Sequence, residues 1–167
     1  MQFAAWPGLE RVPALGARPR YGRRLVPREL GVLGEGRIEH APLRVSATCT
    51  RVNVMDGHTE AVWVTTKQKA NADDIRQAMQ AYAPVLRPYH LPSAPQNMIT
   101  VSDDPYRPQP RWDRLTEDGM STVVGRIRAD GALDNGVKYV LLSHNTKMGA
   151  AKGAVLMAEL MKHDGLI

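Results

Sequence analysis

Seven prolines stand between residues 84 and 118 of this 167-residue chain: Pro84, Pro88, Pro92, Pro95, Pro105, Pro108 and Pro110. Proline fixes φ and lacks the backbone N–H, so no helix or central strand continues through such a stretch. The stretch divides the chain into a block before it and a block after it. The connector between them carries one short apolar run, Met98 to Val101. A connector of this length inside a compact domain is usually functional or interfacial.

In the first block, Leu43 to Val54 reads as a strand, Asp56-Gly57 as a hairpin turn, and Thr59 to Thr66 as a second strand rich in Val, Thr and Trp. Asn71 and Asp74 then supply the start of a helix through Tyr82, with Ile75, Ala78, Met79 and Tyr82 on one face and Pro84 as its stop. The second block predicts strands over Ser121 to Arg128 and Val137 to Ser143. A last helix is expected from Asn145-Thr146 to about Lys162. This order predicts an α+β layer, a mixed and largely antiparallel sheet with helices on one face. Both faces of strand 59–66 carry apolar groups, which leaves a surplus apolar face suited to a partner subunit or a further domain.

The first forty residues differ in kind. They hold ten Gly plus Pro, seven Arg and four Glu, with no Lys, Ser or Thr and no clear hydrophobic period. The expected division is an irregular, poorly ordered lead over residues 1–37 and one domain over 38–167. The abundant Arg also suits a transit peptide, but four glutamates and the missing serines argue against one. A shifted or truncated reading frame is the third reading of the abrupt change.

Apolar content of 43% and charged content of 23% are globular values, and the length suits one domain. No run approaches the roughly 18 apolar residues of a membrane span, so no membrane partner is expected. The single cysteine excludes an internal disulfide and a cysteine-based zinc cage, and it fits a reducing cytoplasm. No metal site is expected. The formal charge of +5 is spread thinly: residues 41–167 hold fifteen basic and thirteen acidic residues. Without a basic stripe, nucleic acid is not an expected partner.

Chemistry concentrates in Ser46 to Val62. If Asp56-Gly57 were a two-residue loop, Arg51 would pair with Val62 and share a face with His58, roughly 13 Å away along the ladder. A guanidinium grips a carboxylate through two hydrogen bonds, and an imidazole moves a proton near neutral pH. The plain alternative is a surface Arg and a turn-flanking His. Cys49 suggests a thiol dyad with His58, but mid-strand cysteines are usually buried and inert, so core packing is expected. Near the C-terminus, Ser143 to Ala154 joins a strand to a helix and places Gly149 and Gly153 four apart. Those glycines allow close approach of a flat ligand, or of another backbone.

Several motifs in order carry a resemblance: Ser46-Ala-Thr-Cys-Thr-Arg-Val, Asp56-Gly-His-Thr-Glu-Ala-Val, Leu91-Pro-Ser-Ala-Pro, Asp104-Pro-Tyr-Arg-Pro-Gln-Pro-Arg, Val124-Gly-Arg-Ile-Arg and Leu142-Ser-His-Asn-Thr-Lys-Met-Gly-Ala-Ala-Lys-Gly-Ala-Val. From about residue 36 onward the chain resembles aspartate-semialdehyde dehydrogenase of the archaeal and fungal type, in its C-terminal dimerisation domain. That family reduces aspartyl phosphate with NADPH to aspartate semialdehyde, on the way to lysine, methionine and threonine. The resemblance implies that Arg51 binds the substrate carboxylate, that His58 is the acid/base histidine, and that Asn145 and Gly149 lie against NADP. It also implies that Cys49 is not the nucleophile. The nucleophilic cysteine and the glycine-rich cofactor loop belong to parts not recognised here, so the chain alone is expected to be inactive. Asn53 stands where the family usually has proline. The expected partner is a second copy, a missing N-terminal half or a full-length relative, and the ligand a small molecule. The alternatives are a free-standing dimerisation module and a fragment of the related malonyl-CoA reductases.

Overall fold

The computed structural model describes residues 3–4, 32–33 and 35–167. The expected lead over residues 1–37 lies largely outside them. Two short ladders come first. Strand β1 (Phe3–Ala4) pairs antiparallel with β4 (Ser46–Ala47), and β2 (Val32–Leu33) pairs with β3 (Ile38–Glu39).

The main sheet has four strands, β5 (His58–Thr65), β6 (Ile99–Ser102), β7 (Thr122–Asp130) and β8 (Gly136–Ser143), in the order β5-β8-β7-β6. The β5–β8 and β7–β8 ladders are antiparallel, and β6 runs parallel to β7. The sheet is mixed and largely antiparallel, and the domain is α+β as expected. Strand β6 grows out of the proline-rich connector: four residues between prolines suffice once Val101 sits opposite Val124.

Helix α1 (Ala72–Tyr82) begins as the sequence predicts. The Asn71 side chain accepts from the N–H groups of Asp73 and Asp74, and the Asp74 carboxylate accepts from the Asn71 N–H at 2.8 Å. This reciprocal cap satisfies donors that the first turn leaves unpaired. Ile75 and Met79 then pack on Val124, Ile127 and Val137, together with Tyr139 and Leu141. The opposite face is crossed by the connector, whose Arg107 carbonyl lies so close over Gly125 that any side chain there would strike it.

The connector is pinned by an ion pair. Asp113, at the end of the one-turn helix α2 (Pro110–Asp113), is 3% exposed and bonded to Arg107 and to the Gln109 N–H. Burial pushes its carboxyl upward, but those hydrogen bonds prevail and hold it below the ordinary carboxylate value. Helix α3 (Ala151–His163) places Leu156 and Leu160 against Leu86, Leu91, Ala94 and Met120 in a second core.

Two expected elements are corrected. Residues 43–54 form no long strand, since only Ser46–Ala47 is extended and paired, and its partner is β1. The last helix starts at Ala151, about six residues later than expected. The intervening residues close a series of turns instead, with the Gly149 N–H bonded to the His144 carbonyl and the Ala151 N–H to the Thr146 carbonyl.

Candidate active site

His58 opens β5 and has Ser143, the last residue of β8, as its cross-strand partner. The segment entering β5 and the turn leaving β8 therefore meet at one end of the sheet. They are joined by a hydrogen bond in which the Gly57 N–H donates to Asn145 Oδ1 at 2.8 Å.

This junction explains why the expected hairpin does not form. A type I′ turn needs positive φ at both central residues, and of Asp56 and Gly57 only Gly57 has it, at +101°. Gly57 is buried, and a Cβ there would stand 2.9 Å from Leu142 Cδ1. The left-handed backbone and the close approach to β8 both require glycine. Val62 pairs with Tyr139 and not with Arg51, so the predicted ladder geometry of Arg51 and His58 is wrong.

The two side chains nevertheless share one pocket. A cavity of about 350 Å³ is lined by Arg51, His58, Gly57 and Asn145, together with Cys49 and Asp56. Arg51 reaches it from irregular chain, His58 from the start of β5, and Asn145 from the turn after β8. Partial loss of water around the His58 ring lowers its pKa below the usual 6.5. Nearby positive charge, that of Arg51 included, lowers it further. The imidazole is therefore largely neutral at pH 7 and able to accept a proton, while the guanidinium beside it attracts an anion.

Cys49 differs from expectation. It is exposed and lines the pocket instead of filling the core. The expectation rested on strand alternation, and residues 48–55 are not a strand. Gly149 does not line the pocket. It lies before α3, where a Cβ would stand 2.8 Å from the Asn145 carbonyl, so its smallness admits the backbone of its own turn. Among the described residues, no three His, Cys, Asp or Glu side chains converge as metal ligands, and no helix is long and apolar enough to cross a membrane.

One titratable group was not anticipated. Glu60 follows His58 by two residues on β5, and burial raises its pKa to about 7. Tyr139 is raised as well, by burial and by the charge of Glu60. The signal lay in the sequence as an acidic residue in register with Val62 and Val64 on the inward face of the strand.

The fold and pocket define an α+β domain with an open Arg/His site built where an irregular segment meets a strand-to-helix turn. Residues 25–148 match the semialdehyde dehydrogenase dimerisation domain, and the chain belongs to that family. It is 46% identical over 138 residues to the aspartate-semialdehyde dehydrogenase of Archaeoglobus fulgidus, covering 83% of this chain and 38% of that protein. The Candida albicans enzyme is 41% identical over 143 residues, covering 82% of this chain and 39% of the relative. A crystal structure of aspartate-semialdehyde dehydrogenase with NADP from Candida albicans superimposes with a TM-score of 0.75 at 32% identity, covering 99% of this chain and 46% of that one. The chain thus spans well under half the length of the relatives it matches.

Proposed function

We propose that this domain supplies the carboxylate-gripping and proton-transferring part of an aspartate-semialdehyde dehydrogenase site. One observation carries the proposal: Arg51, His58 and Asn145, which are separated in sequence and reach the site from three local structures, line a single pocket. Arg51 holds the carboxylate of aspartyl phosphate or aspartate semialdehyde through paired N–H donors. His58, neutral at pH 7, takes up and returns the proton that moves as the reacting carbonyl is attacked and released.

The residues present fit one edge of a nicotinamide cofactor. Asn145 spends its oxygen on Gly57, which leaves the amide N–H₂ to donate into the pocket. NADPH, when bound, would supply the hydride, and Asn145 would form the wall against it. The thiol nucleophile and the dinucleotide-binding fold belong to the part of the relatives that this sequence does not span. We take residues 38–167 as the functional unit, acting in the cytoplasm as a homodimer or with that further portion.

Titration of the ¹⁵N-labelled chain with L-aspartate tests the site. Resonances of Gly57, His58 and Asn145 are expected to move together, and Arg51→Ala to weaken binding about tenfold. Shifts that avoid these residues, or affinity indifferent to Arg51, would overturn the assignment.

A further inference from the structure

We infer that Asp118 is a positioning residue for this site: by pairing with Lys147 and Lys152 it holds the 144–150 turn so that Asn145 meets Gly57. The inference rests on reading the Gly57–Asn145 junction as part of the functional pocket.

An unusual stretch of backbone leads into β7. Glu117 (φ 49°, ψ 49°), Asp118 (φ 56°, ψ 34°) and Gly119 (φ 75°) are three consecutive left-handed residues, two of them with side chains that disfavour this region. Such a conformation persists only where its surroundings hold it in place, and each of the three has a partner. The Glu117 carboxylate accepts from the Asn97 N–H at 3.0 Å and from the Gln96 N–H, anchoring the turn to the connector before β6. Asp118 accepts from Lys152 Nζ at 2.6 Å and from Lys147 Nζ. Gly119 is buried, and a Cβ there would stand 2.8 Å from both His144 Cδ2 and Lys147 Cδ.

The turn that carries Asn145 therefore rests on residues 117–119. Its first residue, His144, is 3% exposed and packs on bare Gly119. The His144 ring nitrogen also accepts from the Thr146 N–H at 3.3 Å. Lys147 and Lys152 lie on either side of the 148–151 chain and converge on the one carboxylate of Asp118. Asn145 lies on the same turn as His144 and Lys147 and accepts from the Gly57 N–H, so a turn released from Asp118 holds that hydrogen bond less firmly. Asp118 touches neither Arg51 nor His58. Its effect on the pocket passes through the position of Asn145.

The Gly57 amide reports this coupling directly, by its chemical shift and its hydrogen-exchange rate. Asp118→Asn is expected to displace the Gly57 resonance in the direction given by Asn145→Ala and to speed its exchange about threefold or more, with cooperative unfolding retained. The double variant Lys147→Gln/Lys152→Gln should do the same from the other side of the pair. Lys138→Gln, which removes an ion pair to the buried Asp130 elsewhere in the sheet, should leave Gly57 in place. Because the Asp118 side chain is 64% exposed, salt raised from about 0.05 M to about 0.5 M should move Gly57 in the wild-type chain and not in Asp118→Asn. A Gly57 amide that follows Asn145→Ala but ignores Asp118→Asn and the double lysine variant would overturn the inference. Failure of L-aspartate to bind, with Gly57 still answering to Asp118, would sink the functional reading and leave the positioning role standing.

Discussion

At the scale of single residues the pocket separates a fixed cation from a tunable base. The Arg51 guanidinium can grip an anion through paired N–H donors, whereas burial and neighbouring positive charge keep His58 neutral to a lower pH than usual. The pKa of His58 is lowered in the folded state, so this group favours folding above the unfolded value of 6.5. That contribution is lost as pH falls through the lowered value. An NMR titration of the His58 ring should therefore give a midpoint below 6.5, and Arg51→Ala should raise it. A midpoint at or above 6.5 would contradict the lowering, and one that ignores Arg51→Ala would mean that the guanidinium does not act on the ring. The residue types at positions 51, 58 and 145 were legible as chemistry from the sequence. Their mutual placement was not, because it depends on a hydrogen bond between residues 57 and 145, far apart in the chain.

At the scale of elements, Gly57 and Glu60 make opposite demands on the start of β5. Gly57→Ala puts a side chain at φ +101° and against Leu142. It is expected to cost about 1–3 kcal/mol in urea denaturation and to loosen the Asn145 contact. Glu60 carries a carboxyl whose pKa is raised by burial to about 7, above its ordinary 4.5. Its neutral form suits the fold fully below 4.5, and that advantage disappears as pH rises through about 7. Glu60→Gln should therefore match the wild-type stability at pH 5 and exceed it at pH 8. The gain should be about 1 kcal/mol, discounted for the partial exposure of the side chain. Equal stabilities at pH 8 would show that the carboxyl is better solvated than its position suggests.

The same scale shows which parts of the fold local sequence encodes. Helix α1 was legible from its cap to its proline stop because Asn71, Asp74 and Pro84 act within a few residues of one another. Strands β5, β7 and β8 are legible from their β-branched, aromatic and apolar runs. Strand β6 has no local signal because its support, pairing with β7 and packing in the core under α1, comes from residues distant in the chain. The strand expected over 43–54 failed for the converse reason: its local pattern suits a strand, but β5 pairs with β8 instead. The start of α3 was misplaced because the polar residues at 145 and 146 resemble a cap. The backbone there closes turns that carry Asn145 to Gly57 and both lysines to Asp118.

For the molecule as a whole, the features point to an assembly larger than this domain. Between α1 and the sheet lies an apolar cavity of about 320 Å³, walled by Val64, Met79, Tyr82, Val137 and Tyr139 among others. Tyr82, one of its walls, remains exposed. The pocket lined by Arg51 and His58 is likewise open. Among the described residues only the Cys49 thiol lines it as a sulfur nucleophile, and the family resemblance assigns that residue no nucleophilic role. An apolar cavity open at its rim is surface that a second protein surface can cover.

The most direct test is turnover by complementation. The chain is mixed with a separately produced portion of the Archaeoglobus fulgidus relative, the part that this sequence does not match. Phosphate-dependent reduction of NADP with aspartate semialdehyde is then followed. Neither component should turn over alone. The mixture should, and His58→Ala should lower its rate about a hundredfold or more. Turnover by this chain alone, or a mixture whose rate ignores His58, would contradict the account.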